Sequence, residues 1–230
     1  MKKKILIIGL LASLIPGWLL AAPCYGPIMP ESRKVFAGVQ SYALMRRNLE
    51  NDYGFINSTQ YFYMMSFGIT DWFCLDGKIG TGNIRAHPNE QEKVHYESAF
   101  AGGYGFRFRL YQNENKTINY IFGFHHISVH PYGKIVEGNK HRAIVDDWQF
   151  SLLSSVQVKD WVPYGGLKWS RVDYIHTLNN ERKRVMGDIA HPFGVIAGID
   201  IPLQKCKWWL NLEGHLIDET AVSGSLIYAF

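Results

Sequence analysis

The feature that most constrains this chain is a period of two that persists over segments too long for an ordinary globular sheet. In 96–110, Tyr96, Ser98, Phe100, Gly102, Tyr104, Phe106, Phe108 and Leu110 alternate with Glu97, Ala99, Ala101, Gly103, Gly105, Arg107 and Arg109. Successive side chains of a strand point to opposite faces, so one face here is apolar and aromatic and the other small or charged. Segment 147–158 repeats the arrangement, with Trp148, Phe150, Leu152, Val156 and Val158 against Asp147, Gln149, Ser151, Ser155 and Gln157. Segments 60–69 and 208–216 follow, while 117–130 and 162–176 alternate less cleanly. Beyond residue 22 there is neither a sustained 3.6-residue pattern nor an apolar run long enough to cross a bilayer as a helix.

The alternation predicts ten strands: 34–44, 57–69, 72–83, 96–110, 117–130, 144–158, 162–175, 189–201, 206–216 and 220–230. Most exceed the roughly 9–11 residues that a tilted strand needs to span a membrane. The connections add independent information. Those at 45–56, 84–95, 131–143 and 176–188 are long, and those near Asp71, 111–116, 159–161 and 202–205 are short. Tight turns at one end and long loops at the other are the arrangement of outer-membrane barrels. A soluble sandwich or lipocalin-like barrel would not require it. The expected fold is therefore all-β, a closed antiparallel transmembrane β-barrel of ten strands, with eight as the alternative count. Trp72, Phe73, Trp161, Trp208, Tyr228 and Phe230 at one set of strand ends, and Trp148 and Tyr174 at the other, read as two aromatic girdles.

The N-terminus reads as a secretory signal. Lys2, Lys3 and Lys4 precede an apolar run from Ile5 to Leu20 that contains Pro16 and Gly17 and reaches Ala21 and Ala22. The run is short for a membrane anchor and carries its own helix breaker. Residues 1–22 are thus expected to be removed, leaving 23–230 as the barrel. Pro23 ahead of Cys24 argues against lipidation of that cysteine. Loss of the three lysines lowers the net charge from +4 to +1, and no clustered basic face suggests a nucleic-acid partner. Cys24, Cys74 and Cys206 all map near the periplasmic rim, and the sequence does not choose a bridging pair. The histidines lack compact metal-ligand spacing, and neither a metal nor another cofactor is expected.

A family resemblance rests on three segments. In the last, Val222, Leu226, Tyr228 and the terminal Phe230 lie on one face, which resembles the C-terminal assembly signal of bacterial outer-membrane barrels. Phe67-Gly68-Ile69-Thr70-Asp71-Trp72 and Pro163-Tyr164-Gly165-Gly166-Leu167-Lys168-Trp169 resemble segments of the OmpA-like and small porin-like superfamily. The resemblance spans nearly all of the mature chain as a pattern. It implies insertion by the barrel-assembly machinery and a place among outer-membrane lipids, and it carries no activity.

Ten strands enclose a narrow interior. Asp76, Lys78, Glu97, Arg107, Arg109, Asp147, Lys168, Glu213 and His215 are expected to face it, as a plugging polar network or as the lining of a thin pore. Among the outer loops, Lys134, Lys140, Arg142, Arg182, Lys183 and Arg184 are candidates for contact with lipopolysaccharide phosphates. The expected role is structural or surface-interacting, with a barrel enzyme or a loop-borne adhesin as alternatives. Omptin proteases, also ten-stranded, use an acidic pair opposite an Asp-x-His pair. Here Asp146 and Asp147 are adjacent and face opposite ways, and His215 and Asp218 are also out of parity. His125, His126 and His130 invite a lipid-modifying reading, but no Ser-His-acid arrangement is recognisable along the chain, so they are read as structural.

Overall fold

The structure is a computed structural model that describes residues 25–50, 53–89, 92–179, 181–187, 189–203 and 207–230, with side chains described except over 181–187. The signal reading of residues 1–22, Cys24, Cys206 and the side chains of Arg182, Lys183 and Arg184 lie outside the described residues. Cys74 is buried.

Strand follows strand throughout. The elements are β1 (Val35–Asn48), β2 (Phe55–Thr70), β3 (Phe73–His87), β4 (Val94–Gln112), β5 (Ile118–His130), β6 (Lys134–Val136), β7 (Asn139–Val156), β8 (Val162–Leu178), β9 (Glu181–Gly187), β10 (Phe193–Leu203), β11 (Trp208–Leu216) and β12 (Thr220–Ala229). All pairs are antiparallel. β1 bonds β12 and β7 bonds β8, so ten strands close on themselves, with β6 and β9 as outer extensions. The sequence-derived strands match these ten to within a few residues. The loops at 131–143 and 176–188 hold the two additional strands.

Local chemistry explains those extensions. Glu137 and Gly138 both adopt positive φ, 48° and 82°, which is the twist a two-residue hairpin needs between β6 and β7. Asn179, at φ 47°, sits at the turn between β8 and β9. There its side chain accepts from Lys140 N at 2.8 Å. At the opposite end, Asn113 Oδ1 accepts from the backbone of Thr117 and Ile118 at 2.7 and 2.9 Å, tying the short β4–β5 turn.

The exterior is apolar. Tyr61, Tyr63, Met65, Phe67, Ile79, Phe100, Tyr104, Phe150, Leu152 and Leu167 are exposed on it. Trp72, Trp161 and Phe230 lie exposed at the tight-turn end. A belt of this kind is stable only against hydrocarbon, where a closed sheet leaves no backbone group unbonded. Tyr174 is a correction to the girdle: it is buried inside the barrel.

Two bulges change which residues face inward. The register slips between Leu44 and Arg46–Arg47, so Met45 and Arg46 both face outward and Arg47 turns into the lumen, 1% exposed. A slip between Gly82 and Ile84, opposite Ala99 and Tyr96, puts Tyr96 inside. Glu97, expected in the lumen, is therefore exposed on the outside. One extra residue reverses the parity of everything beyond it.

The outer half of the lumen is packed with apolar groups. Tyr42, Leu44, Ile56, Ile84, Tyr96, Ile127, Val129, Val145, Val172 and Tyr174 form one cluster with Leu49 and Ile189. The last two are brought over the mouth by a single antiparallel bridge between their loops. Ile84→Ala empties space in this cluster and is expected to destabilise the barrel by about 2–4 kcal/mol. Ile79→Ala, on the same strand but facing lipid, is expected to do much less. The temperature at which the folded band is lost on unboiled detergent gels measures both.

Candidate functional site: a filled lumen and an outward polar cluster

Below the apolar layer the lumen is polar, and its charges are paired in two groups. Towards the tight-turn end, Arg107 on β4 clamps Asp76 on β3, with Nε to Oδ2 at 2.8 Å and Nη2 to Oδ1 at 2.9 Å. Ser66 donates to Asp76 at 2.6 Å. Lys78 donates to Gln40 at 2.9 Å, which in turn donates to Ser225 at 2.9 Å, joining β3, β1 and β12 across the closure seam.

The N-terminal segment completes this group. Residues 25–30 enter the barrel, and Arg107 Nη1 donates to the carbonyls of Gly26 and Ile28 at 2.8 Å each. Tyr25 stacks on His125 with ring centres 5.0 Å apart, and Lys78 Nζ lies 4.2 Å from the Tyr25 ring. Gly26 adopts φ 68°, and a Cβ there would sit 2.8 Å from Asn211 Nδ2 and 3.0 Å from Asp200 Oδ2. Only glycine combines that conformation with so close an approach.

The second group spans the other wall. Arg47 bonds Asp147 at 2.8 Å and also Glu219, and Lys168 bonds Asp218 at 2.8 Å and also Glu219. His215 sits between Glu213 at 2.8 Å and Glu219 at 3.0 Å. Tyr164 donates to Glu213 at 2.7 Å, and Asn211 links Tyr164 to Asp200. Taking such charges out of water costs several kcal/mol each, so each needs close partners. Here every acid of the group lies against a cation, an amide or a hydroxyl.

The structure thus places Asp76, Lys78, Arg107, Asp147, Lys168, Glu213 and His215 in the lumen, buried. Arg109 lies at the tight-turn rim, bonded to the Asp71 carbonyl at 2.8 Å. Glu97 is outside. Sequence reasoning missed Arg47, hidden by the bulge, and Asp218 and Glu219, which lie between the alternating segments. β11 ends at Leu216, Ile217 takes φ 85°, and the two acids after it turn inward. His215 and Asp218 therefore share the lumen, whereas Asp146 faces outward and Asp147 inward. These four residues do not come together as an omptin-like pairing across an outer rim.

Cavities of about 10 Å³ lie beside Arg47 and Asp147 and beside Tyr25 and Arg107, each room for a single water. Among the described residues, no group of three His, Cys, Asp or Glu is arranged to hold a metal.

On the outside, four polar side chains meet where the sequence showed no such arrangement. Ser128 on β5 pairs with Asp146 on β7, and its Oγ contacts Asp146 Oδ1. The same oxygen is 2.6 Å from His130 Nε2, and His126 Nε2 is 3.8 Å from Asp146 Oδ1. His126, Ser128 and His130 are alternate residues of one strand and hence share a face. Asp146 comes to them only through strand pairing.

The fold defines a membrane-spanning β-barrel. No protein-family model and no curated protein matches the chain. Similar solved structures include an outer-membrane channel from Pseudomonas putida F1, 8% identical with a TM-score of 0.46 over 94% of this chain and 100% of that one. The transport unit of the autotransporter AIDA-I from Escherichia coli is 11% identical with a TM-score of 0.47 over 91% and 93%. The translocator domain of the autotransporter NalP from Neisseria meningitidis is 11% identical, at 0.41 over 86% and 87%. The assignment itself stands on the closed ten-stranded sheet and its apolar exterior.

Arg107→Met would leave Asp76 buried without its cation and three backbone carbonyls without their donor. It is expected to lower stability by about 3–5 kcal/mol. Hydrogen exchange over 25–30 is expected to rise with it. The double variant Arg107→Met/Asp76→Leu, which removes the stranded charge, is expected to recover part of the stability in denaturant titrations but not the protection of 25–30.

Proposed function

We propose that the protein is an outer-membrane barrel whose lumen is sealed, serving as a stable structural element that presents its outer hairpins, and that it is not a pore. The observation that carries this reading is the filling of the lumen from both ends. Residues 25–30 occupy the tight-turn half, and the apolar cluster under the Leu49–Ile189 bridge occupies the other. The OmpA-like and porin-like resemblance, delivery by the barrel-assembly machinery and residence among outer-membrane lipids belong to the same proposal.

The outer hairpins supply the surface. Lys134, Lys140 and Arg142 are exposed on the β6–β7 hairpin, and Arg182, Lys183 and Arg184 fall on β9. These bases suit the phosphates of lipopolysaccharide, the partner proposed for this face. Neutralising Lys134, Lys140 and Arg142 together is expected to lower thermal stability in lipopolysaccharide-containing bilayers and to leave it unchanged in phosphatidylcholine. Planar bilayers test the seal. The wild-type protein, folded by its boiling-dependent gel mobility, is expected to give no conductance steps, and porin-like steps would overturn the reading.

A further inference from the structure

We propose that Ser128 and His130, with Asp146, form a hydrolytic site on the outer wall of the barrel that cleaves acyl esters of outer-leaflet lipids. The proposal rests on the lipid-facing reading of the exterior and goes beyond the sealed barrel, which by itself requires no activity.

The depth of the cluster comes first. Outward positions of β5 read Ile118, Tyr120, Phe122 and Phe124, then His126, Ser128 and His130. β7 changes in the same way from Leu152, Phe150 and Trp148 to Asp146, and β8 from Leu167 and Trp169 to Arg171 and Asp173. The continuous apolar surface is therefore interrupted by polar groups at one level on three neighbouring strands, with the pair Ile144 and Ile175 beyond them. The ten-residue rise from Ile118 to Ser128 is about 33 Å along the strand, or roughly 25 Å along the normal at a tilt near 40°. That is the height of the apolar band of such barrels. Ser128 consequently lies at the outer membrane–water boundary, where the ester groups of outer-leaflet lipids are found.

The second observation is the chemistry. A serine hydroxyl becomes a nucleophile when a base within hydrogen-bond reach takes its proton. His130 Nε2 is 2.6 Å from Ser128 Oγ. In the structure the hydroxyl donates to Asp146 and His130 Nε2 lies against the same oxygen; rotation of the O–H towards His130 is the productive arrangement. Asp146, with His126 Nε2 3.8 Å away, adds a negative charge beside the serine. The imidazoles are held by aromatic neighbours: His130 is 6.1 Å from the Phe100 ring, and His126 lies between Tyr104 at 5.2 Å and Trp148 at 4.1 Å. Below them Phe124, Trp148 and Phe150 form a continuous aromatic slope against which an acyl chain can lie. Arg171, paired with Asp173 at 3.4 Å and largely exposed, stands beside the cluster and suits a headgroup phosphate.

In the reaction, Ser128 Oγ attacks the ester carbonyl carbon as its proton passes to His130 Nε2. The bond from that carbon to the lipid alcohol oxygen breaks, and the alcohol leaves with the proton from His130. Water then attacks the acyl-serine, giving a proton to His130. The fatty acid departs and Ser128 recovers its hydrogen. Water is the only co-reactant.

The test uses the full protein folded in detergent, and then in vesicles. A fluorophosphonate probe is expected to label the wild type at Ser128, located by mass spectrometry. Ser128→Ala should abolish the label, and His130→Ala should slow it about 10²-fold or more. All three should keep the heat-modifiable band. Fatty-acid release is then measured from phosphatidylethanolamine–phosphatidylglycerol vesicles and from vesicles carrying hexa-acyl lipid A; release from one set identifies the source of the ester. A wild type that folds, as the gel shift reports, yet neither labels nor releases fatty acid from either vesicle would overturn the site. So would equal labelling or release by Ser128→Ala. Failure of the sealed-barrel reading would show separately, as conductance.

Discussion

The closure of β1 onto β12 is the condition from which the remaining structure follows. In hydrocarbon an open sheet edge would leave a row of unbonded amides and carbonyls, each costing several kcal/mol. The ladder from Phe36 opposite Ala229 to Arg46 opposite Thr220 removes that edge. With ten strands closed, the outside must be apolar and the inside becomes a narrow space. Whatever faces inward must then be satisfied within it.

Two physical solutions share that space. The tight-turn half uses charge: Arg107 spends its planar fork on Asp76 and its remaining amino group on the carbonyls of the N-terminal segment, so one side chain fixes both a strand pair and the plug. The outer half uses apolar packing, which needs no partners and excludes water. Arg47, Lys168 and the acids around them lie between the two, where strands from opposite sides of the barrel come within reach. If the lumen is sealed as proposed, the outer wall and the hairpins are the surfaces left for chemistry. The polar cluster at Ser128 stands on that wall.

Strand parity governs both faces, and bulges revise it. Before the slip at Leu44, even positions of β1 point inward; after it Arg47 does. The slip beside Gly82 sends Glu97 outward and Tyr96 inward. The bulge in β1 is announced by no glycine or proline, and the one in β3 only by Gly82 in a strand already rich in glycine, so an alternating pattern read straight through them assigns the wrong face beyond.

The sequence by itself determined the class of fold, because period two over 10–15 residues has one stable reading next to a membrane. Strand parity also put Asp76, Lys78, Arg107, Asp147, Lys168, Glu213 and His215 on the expected inner face, although the segment around Lys168 alternates less cleanly than the others. What only the tertiary structure decided depends on contacts between strands distant in the chain. The inward turn of Asp218 and Glu219 follows from the positive φ of Ile217 and the cations waiting on β1 and β8. Entry of residues 25–30 into the lumen follows from donors on β4. The meeting of Ser128 and His130 with Asp146 follows from the register of β5 on β7. Periodicity records which face a residue takes, whereas register, the offset between strands, decides which residues on that face touch.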